Sequence, residues 1–233
     1  MAVKSRREEY AALTRAALLE AASGLFAEKG FDATSIDDLA AAARVSKGAV
    51  YHHFADKRAI FDEVFRVAQQ EAIEQVLTAA LTGPGAGGTP WDVASEAVRA
   101  FLRGYVTDEN KRSLLRQSAE VLGVRRCREI DEELALPHMK GLLETVRARG
   151  ELRPVSLDAT AVVVFGTLCE AATSVAFARN PTETCQEMSV VVGHMLDGLR
   201  KSPDMPETPD APETPETSEA PDAPETPEAS DTP

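Results

Sequence analysis

Cysteine is scarce in this chain. Cys127, Cys169 and Cys185 are widely spaced, odd in number and form no CxxC pair. Such a set supplies no disulfide framework and fits a reducing compartment, with each thiol acting as a small core residue. The four histidines, His52, His53, His138 and His194, make no ligand pattern with those cysteines, so neither a metal nor another cofactor is expected. Long apolar runs are missing: none approaches the ~20 residues of a membrane span. The first ten residues, MAVKSRREEY, hold no apolar leader core. A cytoplasmic protein without membrane contact is the expectation. Catalytic signatures are also absent. There is no nucleophile–base motif and no metal triad, and the Gly-rich TGPGAGGTP (82–90) lacks the Lys-Ser/Thr ending of a phosphate loop. The chain is therefore not expected to be an enzyme.

Positive charge is short as well, with 25 basic against 38 acidic residues and a net −13. Its distribution is uneven. Residues 201–233 hold ten acids and one lysine, which leaves −4 for the other 200 residues. From Arg44 to Arg58 four bases face one acid, a local +3. Charge beyond a Debye length of ~8 Å is largely screened, so the local patch matters more than the total. A hydrophobic content of 43% suffices for a packed core.

The most informative stretch is 34–57, TSIDDLAAAARVSKGAVYHHFADK. Thr34 or Ser35 can cap a short helix that carries Asp37 and Asp38 in its first turn. Ile36, Leu39, Ala40 and Ala43 give that helix an apolar face. Arg44-Val45 connects it to a second helix capped by Ser46, with Val50 and Phe54 as inward anchors. Two helices of about two turns on a tight connection match a helix-turn-helix. The outer chemistry suits DNA. Lys47 can meet a phosphate or a guanine edge, and Ser46, Tyr51 and His52 offer polar groups. Gly48 lets the backbone approach the groove. A plain helical hairpin with solvated polar residues is the competing reading.

Arg15 to about Val64 resembles the DNA-binding domain of the tetracycline-repressor (TetR) family. The resemblance rests on Leu25-Phe26, Gly30-Phe31, Thr34-Ser35-Ile36, Leu39-Ala40, Val45-Ser46-Lys47-Gly48, Tyr51-His52-His53-Phe54 and Lys57. It implies DNA contacts from Thr34, Ser35, Ser46, Lys47, Gly48, Tyr51 and His52, and a phosphate contact from Lys57. It departs at Arg44, where the family usually has a Gly suited to a left-handed turn. Either the turn differs here, or Arg44 accepts strain in order to reach a phosphate.

The remaining chain reads as helical throughout. A basic arm (Lys4, Arg6, Arg7) precedes a helix over 10–29. Asp56 caps a helix running from 57 towards 81, followed by a flexible break at 82–90. Helices are expected over 91–106, 111–122 and 127–148, the last kinked or split by Pro137. Asp158 is expected to cap a nearly all-apolar helix over 159–178, and a final helix spans 183–199. The middle helices should enclose an effector pocket lined by Trp91, Phe101, Tyr105, Leu115, Cys127, His138, Met139, Phe165, Cys169 and Phe177. The alternative for any one of them is plain core. Gly166, Ala171, Ala172, Val191 and Met195 mark the last two helices as a dimer face, an arrangement the resemblance also implies; the alternative is that both helices only complete the monomer's core. In the tail, acids fall at every third position from 204 to 231. A polyproline II chain, with three residues per turn, would line them along one edge. Self-repulsion would keep it extended, as a solubilising tail or as a competitor for the basic patch.

The expected protein is all-α, with a DNA-binding helix-turn-helix domain over 1–56. A helical effector-binding and dimerisation domain follows over 57–200, and a disordered acidic Pro-rich tail over 201–233. Its expected partners are a double-stranded DNA operator, a small-molecule effector and a second copy. The expected function is a ligand-responsive, homodimeric repressor. An activator, a co-repressor-dependent regulator or a nonspecific architectural DNA-binding protein are the alternatives.

Overall fold

Local capping chemistry sets nearly every helix boundary. The computed structural model describes residues 6–201. Among them are nine α-helices and, outside helices, one isolated antiparallel bridge between Leu152 and Arg200. α1 (Arg6–Lys29) stops at Gly30, whose φ of +83° few side chains would tolerate. Ser35 caps α2 (Ile36–Ala42) through a reciprocal box with Asp38. Ser46 caps α3 (Lys47–His53) and Asp56 caps α4 (Lys57–Thr82). Thr89 and Asp92 form a second box at α5 (Pro90–Thr107), which has proline at its first position. Asp108 caps α6 (Glu109–Val121), and α7 (Val124–Ala148) follows Gly123. Ser156 caps α8 (Leu157–Phe177) and Asn180 caps α9 (Pro181–Asp197).

The all-α expectation is met, with local corrections. α1 starts at Arg6, so the expected arm is already helical from there; Lys4 lies outside the described residues, as does the acidic tail from 202. The 82–90 connection is closely packed: a Cβ on Gly85 would lie 2.7 Å from the Asp92 carbonyl oxygen. Pro137 sits inside an unbroken α7. Ser156, not Asp158, caps α8; Asp158 instead pairs with Lys140 at 2.6 Å. α8 has the length and mean hydropathy (1.6) of a membrane-crossing helix, closer to a span than the sequence reading allowed. It packs against α5, α6, α7 and α9.

The core of α1–α3 does not close on itself. Phe26, Leu39, Val50, Phe54, Phe61 and Phe65 share one buried cluster with Leu114 and Leu122 of the α6 end and Ile130 of α7. Polar groups pin this junction. The Gln117 side chain accepts from the Phe31 N–H at 2.6 Å and donates to the Phe26 carbonyl at 3.0 Å. Ser113 donates to the Ala27 carbonyl at 3.0 Å. Arg58 donates to the Leu122 carbonyl at 2.8 Å, and Arg126 makes two bonds to Asp62 at 2.7 and 3.0 Å. α6 thus closes the open C-terminal end of α1. Gln117→Ala leaves a half-buried donor and acceptor unmet, and is expected to cost about 1–3 kcal/mol in urea unfolding. Faster hydrogen exchange at the Phe31 amide should accompany that loss.

Candidate DNA interface and ligand cavity

α2 and α3 place their polar groups unequally. Val50 (0% exposed) and Phe54 anchor α3 inward. Its opposite side presents Ser46, Lys47, Gly48, Tyr51 and His52 to solvent. Tyr51 is 52% exposed, so its ring and hydroxyl are free to meet a partner. Ser46 spends its hydroxyl on the Ala49 N–H. Lys47 pairs with Asp37 at 2.9 Å, and that bond raises its pKa. The His53 pKa is lowered from the ordinary histidine value by burial, then by His52 and Arg15.

Two residues assigned to DNA are turned inward. Thr34 is 1% exposed, and its hydroxyl donates to the Gly30 carbonyl at 2.7 Å. It closes the end of α1 and offers nothing to a groove. The Lys57 ammonium donates to the carbonyls of Phe31 (2.6 Å) and Thr34 (2.9 Å) and lies 4.2 Å from the Phe31 ring centroid. It braces the α1–α2 turn. Ser35 remains exposed, but its hydroxyl is committed to the capping box.

Arg44 adopts φ +56°, the one left-handed non-glycine among the described residues. The turn is therefore kept despite the missing glycine. A left-handed L-residue costs about 1–2 kcal/mol, and Arg44 is exposed at the edge of the α3 face. Arg44→Gly is expected to raise unfolding stability by about 1 kcal/mol. If operator affinity falls with it, the arginine is retained for phosphate; unchanged affinity removes that role.

The helical body from α4 to α9 holds a cavity of about 140 Å³. Five expected residues line it: Trp91 and Phe101 of α5, His138 and Met139 of α7, and Phe165 of α8. The other five do not. Tyr105 is buried (2% exposed) beside the chamber, not on it. Leu115 and Cys127 pack on the core that α6 and α7 share with α1–α3. Cys169 lies one turn beyond Phe165, and Phe177 is 62% exposed at the end of α8. The sequence reading missed Ile73, Val76 and Leu77 of α4, Leu142, Leu143 and Val146 of α7, and Leu196 and Leu199 at the α9 end. Helical spacing on α4 and α7 was the available signal. An apolar chamber of this size is large enough for a single ring.

The expected dimer residues divide in the same way. Ala171 and Ala172 are 3% and 2% exposed and belong to the protomer's own core, so they cannot form an outer face. Gly166 is exposed, as are Val191 (55%) and Met195 (50%). Val162, Val163 and Val190 extend the exposed apolar surface of α8 and α9.

Comparison with known proteins agrees with this geometry. Residues 18–64 match the model for bacterial regulatory proteins of the tetR family, and residues 91–199 match the tetracyclin repressor-like C-terminal domain. The HTH-type transcriptional repressor BepR of Brucella suis is 31% identical over 156 residues, covering 63% of this chain and 72% of that protein. The HTH-type transcriptional regulator AcrR of Shigella flexneri is 35% identical over 115 residues, 49% of this chain and 51% of that protein. A TetR-family transcriptional regulator from Pectobacterium atrosepticum superposes with a TM-score of 0.72 at 27% identity, over 86% of this chain and all of that one. RolR, solved in complex with resorcinol, shares the fold with a TM-score of 0.62 at 19% identity, over 81% of this chain and 89% of that one. With its reading head on α2–α3 and its apolar chamber in the helical body, the chain belongs to the TetR family of helix-turn-helix transcriptional regulators.

Proposed function

We propose that this chain is a homodimeric repressor that leaves a near-palindromic operator when a small, mainly apolar molecule enters the cavity. The division of labour follows the sequence reading: residues 1–56 read DNA, 57–200 bind effector and dimerise, and the work is cytoplasmic. The observation that carries the proposal is the shared core. The Phe26–Phe61 cluster that fixes α3 includes Leu114, Leu122 and Ile130, so repacking around the chamber shifts the supports of the reading head. Tyr51, His52 and Gly48 face the major groove, with Lys47, Ser46, Ser35 and Arg44 towards the backbone. The exposed apolar surface of α8 and α9 supplies the two-fold interface. RolR, with resorcinol bound, supports a single-ring ligand for a chamber on this fold.

Fluorescence anisotropy with DNA flanking the protein's own coding region, against scrambled DNA over a salt series, tests the proposal. Tight, salt-dependent binding to the native piece alone supports it; equal weak binding to both contradicts it. Ala97→Leu projects into the chamber from α5. It is expected to abolish ring-compound binding in calorimetry while leaving operator affinity unchanged, because the reading head is untouched.

A further inference from the structure

The apolar chamber ends in a polar layer that the repressor reading does not use. On four helices, the residue one turn beyond a cavity wall is polar. Gln69 precedes Ile73 on α4, and Asp131 precedes Ala135 on α7. Tyr105 follows Phe101 on α5, and Cys169 follows Phe165 on α8. One turn is about 5.4 Å of rise, so the four groups form a single layer against one end of the chamber. The Phe101 and Tyr105 rings meet edge to face at 5.4 Å across that boundary.

The groups in this layer interact. Gln69 donates its amide N–H to Asp131, and the Tyr105 hydroxyl faces Gln69. The nearby Lys111 is engaged elsewhere: its ammonium lies 5.5 Å from the Tyr105 ring centroid and donates to Gln75 at 3.4 Å. Among the described residues no salt bridge reaches Asp131. The groups that act on it or feel it are Gln69, Tyr105, Cys127, Cys169 and Glu132, none of them a cation. Burial keeps the Tyr105 hydroxyl and both thiols protonated at neutral pH. A partly buried carboxyl packed between helices without a cation is costly, and such groups concentrate at binding sites.

We propose that the effector is a small lipophilic amine, its ring in the chamber and its ammonium on Asp131, one helical turn away. The inference rests on the ligand-cavity reading and names the chemistry of that site. An aryl group with a two-carbon amine arm has a reach of about one helical turn, the offset between the cavity wall and the carboxyl-bearing layer. The ammonium supplies the missing countercharge and a charge-assisted hydrogen bond. A neutral alcohol of the same shape would leave the charge uncompensated, and an anionic ligand would be repelled.

Calorimetric titration of the full chain at pH 7.5 with 2-phenylethylamine and with 2-phenylethanol tests this. The wild type should bind the amine about tenfold or more tighter than the alcohol. Asp131→Asn keeps the acceptor for Gln69; it should lose that preference while binding the alcohol as before, which also shows that the variant is folded. Equal affinity for both probes, or an amine affinity indifferent to Asp131→Asn, overturns the amine assignment and leaves the cavity reading intact. Failure of both probes to bind overturns the two together.

Discussion

Replacing Lys47 and Tyr51 together with alanine should lower operator affinity by about a thousandfold, because both contacts are lost in each half-site of a two-fold complex. Both side chains stand clear of the core: Lys47 is 53% exposed at its side chain and Tyr51 is 52% exposed. Melting behaviour should therefore stay unchanged, which separates loss of reading from loss of fold. The salt dependence is the finer readout. Removing one ammonium–phosphate contact per half-site should make the slope of log affinity against log salt shallower by about two. Lys47 is held by Asp37 in the free protein, so Asp37→Ala, which frees the ammonium, should shift affinity the opposite way. A double variant that binds operator like the wild type would move the reading face away from α3.

The second large effect is on stability. Burial pushes the Asp131 carboxyl up from 3.8 to about 6, with Glu132 adding to the rise and the Gln69 bond opposing it. Between those two values the folded protein holds a proton that the unfolded chain has released. Stability is therefore lost as pH rises through this window, and the loss is complete above about pH 6. Its full size is about 3 kcal/mol. Asp131→Asn removes the charge and keeps the shape. It should be more stable than the wild type by about 1–3 kcal/mol at pH 7.5, the gap closing as pH falls to about 4. Urea unfolding at both pH values and equal protein concentration measures it. A gap that persists at pH 4 would locate the effect in packing rather than charge. A carboxyl kept at such a cost fits a site that trades stability for function.

The difference between what was legible in the sequence and what was not follows from range. Ser35, Ser46 and Asp56 cap as expected because a cap is settled within four residues. Arg44 was legible for the same reason, and its φ of +56° shows the turn overriding the side chain's preference. Thr34 and Lys57 were assigned to DNA through the family resemblance. Their burial depends on where Gly30 and Phe31 bring the end of α1, a contact made in space. The cavity was half legible. Trp91 and Phe101 share a face of α5, but Tyr105, one turn on, falls in the next layer because α4 and α7 carry Gln69 and Asp131 there. Asp131 itself lies in CREIDEEL, a charged run that reads as a solvated helix face. Only packing against α4, α5 and α8 shows that one of its acids points inward.

Selection of binding sites from a random DNA pool by the full-length protein tests the central claim most directly. The expected product is an inverted repeat whose half-site centres lie about 34–36 Å apart, enriched by the wild type and lost with the Lys47/Tyr51 double variant. Recovery of DNA with no common sequence, or enrichment that survives the double variant, would contradict a two-fold reader built on α3.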